Sequence, residues 1–315
     1  MSAPKFLATG RCLPAKVVTN DDLSRTVDTN DEWVFSRTGI HARHFCQEES
    51  GMDLAEGAAR QALARSGLKP EDIGVCLVAT FTPDFASPSM ACMLQQRLGL
   101  KEDTICFDLN AACTGFLFAL HTAECLLNAS PRKFGLVIGA EALSRVLNWE
   151  DRSTCILFGD GAGAAVVECR AGWPSIGAVT GCRGDDTLLH VAGPGSGQKI
   201  LVSMDGSKVF RFAVETVPKC MDQVLKNHEL TAGELDFFVF HQANERIIDL
   251  VVRKYGIPAE KYYKNLAEYG NTSAASIPIV LSELQEQGKV RSGSRVLLAG
   301  FGGGLTWGGA LVEFA

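Results

Sequence analysis

Apolar residues in this chain cluster into short unbroken runs bounded by polar or glycine-rich segments. Runs of that kind read as buried strands, and the longer stretches with helical spacing that follow them read as helices. Gly74–Thr80 (GVCLVAT) is such a strand and Ser89–Leu98 (SMACMLQQRL) the helix after it. Leu235–Phe240 (LDFFVF) and Glu245–Tyr255 (ERIIDLVVRKY) repeat the pair further on. Each region then adds a strand, a turn and a helix. The first runs ICFDLNAAC into TGFLFALHTAECLL, and the second runs YYKNLAEYGNTS into AASIPIVLSELQEQ. A further apolar strand closes each unit, Gly135–Gly139 (GLVIG) and Val296–Gly300 (VLLAG).

The spacings agree approximately. Thr80 lies 33 residues before Cys113, and His241 lies 30 before Asn271; Cys113 precedes Gly139 by 26, and Asn271 precedes Gly300 by 29. Strands alternating with helices call for parallel strands in a layered α/β fold. Two copies of one unit call for pseudo-symmetric halves, here residues 1–170 and 171–315. In open α/β sheets ligands gather beyond the carboxyl ends of strands. Cys113, His241 and Asn271 all fall at such ends, the first in the N-terminal half and the other two in the C-terminal half.

Composition narrows the class. The chain has 315 residues, 46% hydrophobic and 21% charged, enough apolar mass for a large core or two fused ones. No segment approaches the roughly 20 apolar residues of a membrane helix, and MSAPKFLATG shows no secretory signal, so a cytoplasmic protein is expected. The formal charge of −6 argues against general nucleic-acid binding. Eleven cysteines, odd in number and without a CxxC pair, give neither a disulfide framework nor a zinc site. His41, His44 and Cys46 in HARHFC read as a chance run rather than a ligand set.

Among the candidate chemistry, Cys113 opens a long apolar helix, where free N–H groups favour thiolate over thiol. A thiolate can take an acyl group from a thioester, and Ala111, Ala112 and Gly115 leave room beside it. The bland alternative is one more buried cysteine. His241 follows FFVF directly, and Asn271 in YGNTSAASIP also reads as an ordinary helix cap. The glycines of FGGGLTWGG (Phe301–Gly309) allow close backbone approach and N–H groups aimed at an oxyanion. FGDGAGA (Phe158–Ala164) lacks the spacing and later acid of a dinucleotide loop.

Taken in order, TNDEWVFSRTGI, AACTG, DRSTCILFGDGAGAAVV, HQANERI, GNTSAASIP and FGGGLTWGGALV resemble the β-ketoacyl-[acyl-carrier-protein] synthase III family of the thiolase superfamily, nearly end to end. The resemblance implies a five-layered αβαβα fold of two fused halves, a homodimer, and no cofactor beyond the substrates acyl-CoA and malonyl acyl carrier protein. It makes Cys113 the acylated nucleophile, His241 and Asn271 the donors that stabilise the enolate, and the N–H groups of Cys113 and Gly303 the oxyanion hole. Phe301 stands beside the sulfur. Trp33, Arg37 and Arg152 match contacts to coenzyme A adenine and phosphate, and Asn244 a pantetheine contact. Arg211, Arg246, Arg253 and Lys254 make a basic patch for the acidic carrier protein. An Asn cannot act as a base, so the His–Asn pair suits decarboxylation rather than deprotonation.

Two positions depart from the family pattern. Ser87 stands where short-primer members carry Phe at the end of the acyl pocket, and Leu305 where Phe is frequent. Smaller side chains imply longer primers, about C6 to C10 or a small aromatic acyl group, since each buried CH₂ adds about 0.8 kcal/mol. The competing readings are a quinolone- or polyketide-type ketosynthase with the same triad, a papain-like Cys-His-Asn hydrolase, and a catalytically dead binding partner.

Overall fold

The computed structural model describes residues 4–170 and 175–315; the expected junction after residue 170 borders segment 171–174, outside the described residues. The first half contains β1 (Lys5–Cys12), β2 (Lys16–Thr19), α1 (Asn20–Leu23), α2 (Asp31–Thr38), β3 (Ala42–Phe45), α3 (Gly51–Ser66), β4 (Ile73–Ala79), α4 (Met90–Leu98), β5 (Ile105–Leu109), α5 (Gly115–Asn128), β6 (Phe134–Glu141) and β7 (Gly161–Glu168). The second contains β8 (Val179–Asp185), β9 (Leu189–Val191), β10 (Val202–Met204), α6 (Gly206–Asn227) and β11 (Phe237–Phe240). It continues with α7 (Glu245–Tyr255), α8 (Leu266–Tyr269), α9 (Ser276–Glu286), β12 (Arg295–Gly302) and β13 (Gly304–Phe314).

The repeat is visible in the strand pairings. β4 lies parallel to both β5 and β6, β7 runs antiparallel to β6, and β1 antiparallel to β7. In the second half β11 is parallel to β12, β13 antiparallel to β12, and β8 antiparallel to β13. The partner of β11 matching β5 is reduced to one bridge, Phe238 to Tyr262, where the sequence suggested a strand. Beyond the bridge the chain is tied to α7 and α9: Lys264 pairs with Glu245 and Asp249, and Asn265 donates to Glu283 at 2.8 Å. The two sheets meet where β1 touches β13, at Lys5–Glu313 and Phe6–Phe314.

Alternation along the strands sorts side chains into layers. Val75 and Leu77 of β4 pack with Phe116, Leu117 and Leu120 of α5, in one core with Ile277, Val280 and Leu281 of α9 and Val239 of β11. Cys76 and Val78 of the same strand face α3 and α4 instead. On the far side α6 and α7 cover the second sheet with Val217, Met221, Ile248 and Val251. The stack is α3/α4, sheet, α5/α9, sheet, α6/α7, a five-layered αβαβα arrangement. Strands buried on both faces explain the unbroken apolar runs. FGDGAGA becomes the start of β7, where a Cβ on Gly163 would lie 2.6 Å from Ile279 N; its glycines admit α9 rather than a nucleotide. No described helix is long and apolar enough to cross a membrane.

Candidate active site

Cys113 lies in a tight turn, Ala112–Thr114, that feeds α5, with Ala112 at φ +47. Asn110 Oδ1 accepts from Ala112 N at 3.0 Å. The second half repeats this turn at Ser273–Ala275 ahead of α9: Ser273 has φ +50, and Asn271 Oδ1 accepts from Ser273 N at 2.9 Å. The structural counterpart of Asn271 is therefore Asn110, and that of Cys113 is Ala274. Aligning Cys113 with Asn271 by spacing was three residues off; Thr80 to Asn110 spans 30 residues, as His241 to Asn271 does. The two turns pack together, so a Cβ on Gly115 would lie 3.3 Å from Ala274 Cβ.

β12 passes two of the reactive residues: a Cβ on Gly300 would lie 3.2 Å from His241 Cβ, and Gly302 lies against Cys113. Cys113, His241, Asn271 and Phe301 are all buried, and the Phe301 ring meets the His241 ring edge-on at 5.5 Å. The Ser273 hydroxyl and the N–H groups of Cys113 and Gly303 are the neighbours that favour the thiolate form of Cys113. Gly302 passes so close that a Cβ there would lie 2.8 Å from Cys113 N. The glycine run is thus a tight hairpin between β12 and β13, with Gly303 at the turn and Gly304 at φ +101.

Electrostatics correct one expectation. Burial pushes the Cys113 thiol up to about 11, outweighing the Ser273 hydroxyl and the two N–H groups that favour thiolate. Desolvation, the largest cause, favours the thiol over the thiolate that the helix start suggested. Burial also drives His241 down to about 3, so the imidazole is neutral. Its Nδ1 lies 2.7 Å from Ser276 Oγ, which in turn receives the Gln242 N–H at 3.4 Å. A hydroxyl that accepts from Gln242 can also give its own hydrogen to Nδ1, and in that arrangement Nε2 is the N–H donor. With Asn271 Oδ1 held by Ser273, its Nδ2 is the end left to donate.

A cavity of about 710 Å³ includes Cys113, Gly303 and Gly304 in its wall, with Phe81, Val146, Phe158, Leu189 and Val202 among its apolar lining. Two guanidinium groups lie over the Trp33 ring, Arg37 at 4.5 Å and Arg152 at 4.9 Å from its centroid. Asn244 is the N-cap of α7 and also donates to Arg37 O at 3.0 Å, tying α7 to α2. Arg211, Arg246, Arg253 and Lys254 are all exposed. Arg246 is turned back to Ser36 O at 2.5 Å, whereas Arg253 and Lys254 end α7 beside α6, to which Tyr255 is bonded through Pro218 O and Asp222. Ser87 is exposed and precedes a cis Pro88, on a loop that also shows Phe85 at 58% exposure. Leu305 is buried under the second sheet's outer core.

HARHFC holds no ligand set: His44 Nδ1 lies 2.6 Å from Pro14 O, and His41 stacks on Phe35 beside Asp31. No metal-binding group of three acids, histidines or cysteines occurs among the described residues. Three residues at the site escaped the sequence reading, namely Ser273, Ser276 and Glu141. Ser273 and Ser276 lay within the quoted GNTSAASIP; Glu141 looked like an ordinary acid after a strand.

The fold is that of a thiolase-like enzyme, with a buried cysteine, a neutral histidine and an asparagine gathered at its strand ends. Models described as 3-oxoacyl-[acyl-carrier-protein (ACP)] synthase III and its C-terminal region match residues 107–184 and 225–314. The β-ketoacyl-[acyl-carrier-protein] synthase III of Clostridium acetobutylicum is 42% identical, covering 100% of this chain and 99% of its own. The 3-oxoacyl-[acyl-carrier-protein] synthase III structure from Aquifex aeolicus superposes with a TM-score of 0.93 at 41% identity, covering 99% of this chain and 100% of its own. A priming β-ketosynthase of the R1128 polyketide pathway gives 0.92 at 34% identity, over 99% and 96%. The chain belongs to the β-ketoacyl-[acyl-carrier-protein] synthase III family.

Proposed function

We propose that this chain joins an acyl group from acyl-CoA to malonyl acyl carrier protein by decarboxylative Claisen condensation, initiating fatty acid synthesis, with Cys113 as the acylated nucleophile. The observation that supports the reading is a buried, neutral His241 and an Asn271 whose Nδ2 is left to donate, set against the β12 strand and paired turns that also hold Cys113. Loss of carbon dioxide leaves charge on a thioester oxygen, which two preorganised N–H donors stabilise without moving a proton. The N–H groups of Cys113 and Gly303 serve the tetrahedral intermediate, and Phe301 shields the departing carboxylate from water. No cofactor enters these steps.

Trp33, with Arg37 and Arg152 over its ring, supports a place for the adenine and phosphates of coenzyme A, with Asn244 beside it for pantetheine. Arg253 and Lys254, with Arg211 and Arg246, supply positive charge for an acidic carrier protein. The edge strand β5, with Ile105 at 41% exposure, and the exposed Phe85 support a homodimer. We place residues 1–170 and 171–315 as the two halves, and the eleven free thiols support a reducing, cytoplasmic setting. The ketosynthase of a specialised pathway has the weaker support, since the R1128 enzyme shares the fold at lower identity. Intact-mass spectra after incubation with an acyl-CoA panel test the reading: wild type gains one acyl mass and Cys113→Ala none. A stable adduct on Cys113→Ala overturns it.

A further inference from the structure

If Cys113 is the nucleophile, its thiol has to lose a proton before the sulfur attacks, and burial opposes that loss. His241 is poorly placed to take it, because Nδ1 is occupied by Ser276, and with the Ser276 hydrogen given to Nδ1 the imidazole's own hydrogen is on Nε2. The side-chain hydroxyl that favours the Cys113 thiolate belongs to Ser273, in the turn packed against that of Cys113, and it donates to Glu141 Oε1 at 3.2 Å. Glu141 ends β6 with 1% exposure.

The two oxygens of Glu141 are not equivalent. Oε2 receives Thr82 Oγ1 at 2.5 Å, Thr80 Oγ1 at 3.3 Å and Phe81 N at 3.3 Å. Both threonine hydroxyls accept a backbone N–H themselves, from Ala142 at 2.9 Å and from Thr82 at 3.1 Å, so their hydrogens point at the carboxyl group. Three donors fill Oε2. Any proton that Glu141 gains or gives up therefore sits on Oε1, the oxygen facing Ser273. Among the described residues, what acts on Glu141 is its burial and these hydroxyl and N–H donors, and the titratable group facing it is Cys113.

We propose that Glu141 accepts the Cys113 proton through the Ser273 hydroxyl when the acyl-enzyme forms, an inference that rests on the function proposed above. In acylation the Cys113 S–H bond breaks and its proton passes to Ser273 Oγ, while the Ser273 proton passes to Glu141 Oε1. The sulfur bonds to the acyl carbon, and coenzyme A leaves as thiolate to be protonated by solvent. In condensation the carbon–sulfur bond to Cys113 breaks as the new carbon–carbon bond forms, and the Cys113 thiolate takes the proton back along the same path. Burial holds Glu141 up at about 8, so its accepting form grows as pH rises toward that value.

Rapid-quench intact mass of acyl-enzyme formation from acyl-CoA, at pH 6 to 9.5, tests the relay. Glu141→Gln keeps the shape and can turn its carbonyl to the three donors, but places an NH₂ toward Ser273. Ser273→Ala removes the middle link at a φ that Ala112, in the matching turn, already tolerates. Both variants are expected to acylate roughly 10²-fold more slowly at pH 8, the scale of a lost proton acceptor, and to lose the rise with pH seen in wild type. Glu141→Asp is expected to recover part of the rate. Preformed acyl-enzyme of each variant, given malonyl carrier protein in a single turnover, should slow less than acylation does, since proton return follows bond formation. Unchanged acylation with the wild-type pH midpoint in Glu141→Gln overturns the relay. Equal slowing of acylation and condensation also overturns it, by assigning Glu141 a purely structural role. Absence of any adduct on wild-type Cys113 would instead strike the proposed function.

Discussion

Replacing Ser276 by alanine isolates the one contact that selects the His241 tautomer. In the wild type the Ser276 hydroxyl meets Nδ1 at 2.7 Å inside a buried site, and when it donates there the single imidazole hydrogen stays on Nε2. Without that hydroxyl the tautomer with Nδ1–H gains population, and the oxyanion loses its donor for part of the time. A neutral hydrogen bond is worth about 0.5–1.5 kcal/mol net, which converts to roughly 2- to 12-fold in rate. Removing the ring itself, His241→Ala, should cost about 10²- to 10³-fold, the scale of a lost oxyanion donor, and Asn271→Ala a similar amount. The assay is release of labelled carbon dioxide from malonyl carrier protein on preformed acyl-enzyme, with acylation followed separately by mass. Acylation should be unaffected in Ser276→Ala and His241→Ala; Asn271→Ala also removes the Oδ1 that holds the Ser273 turn. Because burial keeps His241 down at about 3, decarboxylation should show no imidazole titration between pH 5 and 8. A limb near pH 6 to 7 that vanishes in His241→Ala would refute the neutral-donor argument, as would wild-type decarboxylation in both His241→Ala and Asn271→Ala.

Gly302→Ala puts a methyl group 2.8 Å from Cys113 N, and overpacking of that kind costs about 1–3 kcal/mol; the melting temperature should fall and acylation slow together, and an unchanged variant would show that the turn can give way. Ser87→Phe should shift kcat/KM toward shorter primers, each CH₂ no longer accommodated forfeiting about 0.8 kcal/mol. Acetyl-CoA as best substrate with Ser87→Phe neutral would hand closure of the cavity to another side chain, for which the exposed Phe85 is the first to truncate. Charge reversal at Arg253 and Lys254 should raise the KM for malonyl carrier protein at low salt and leave acyl-CoA priming unchanged; an unchanged KM removes the patch. Lowering the pH from the usual imidazole value of 6.5 toward 3 protonates His241 only in the unfolded chain, so stability falls across that interval. The melting-temperature advantage of wild type over His241→Ala should therefore shrink from pH 7 to pH 5.

The sequence by itself determined the layered architecture, because a strand buried on both faces has to be apolar at every position and a covering helix on one stripe. GVCLVAT and FFVF thus announced β4 and β11, and ERIIDLVVRKY ended within a residue of α7. It also brought out Cys113, His241 and Asn271, since reactive side chains at strand ends are few. What it left undetermined was every property that depends on surroundings. The partner of Asn271 in the repeat is Asn110, a fact settled by matching backbone turns, which spacing blurred by three residues. The helix start at Cys113 promised a thiolate, yet the protonation state follows from how many atoms exclude water, and only the packed turns reveal that burial wins. Likewise the tautomer of His241 belongs to Ser276, 35 residues away, and the two unlike oxygens of Glu141 to Ser273, 132 residues away. Local pattern sets which faces are apolar; desolvation and hydrogen-bond partners arise from contacts between segments distant in the chain, and they exist only once the two halves have closed on each other.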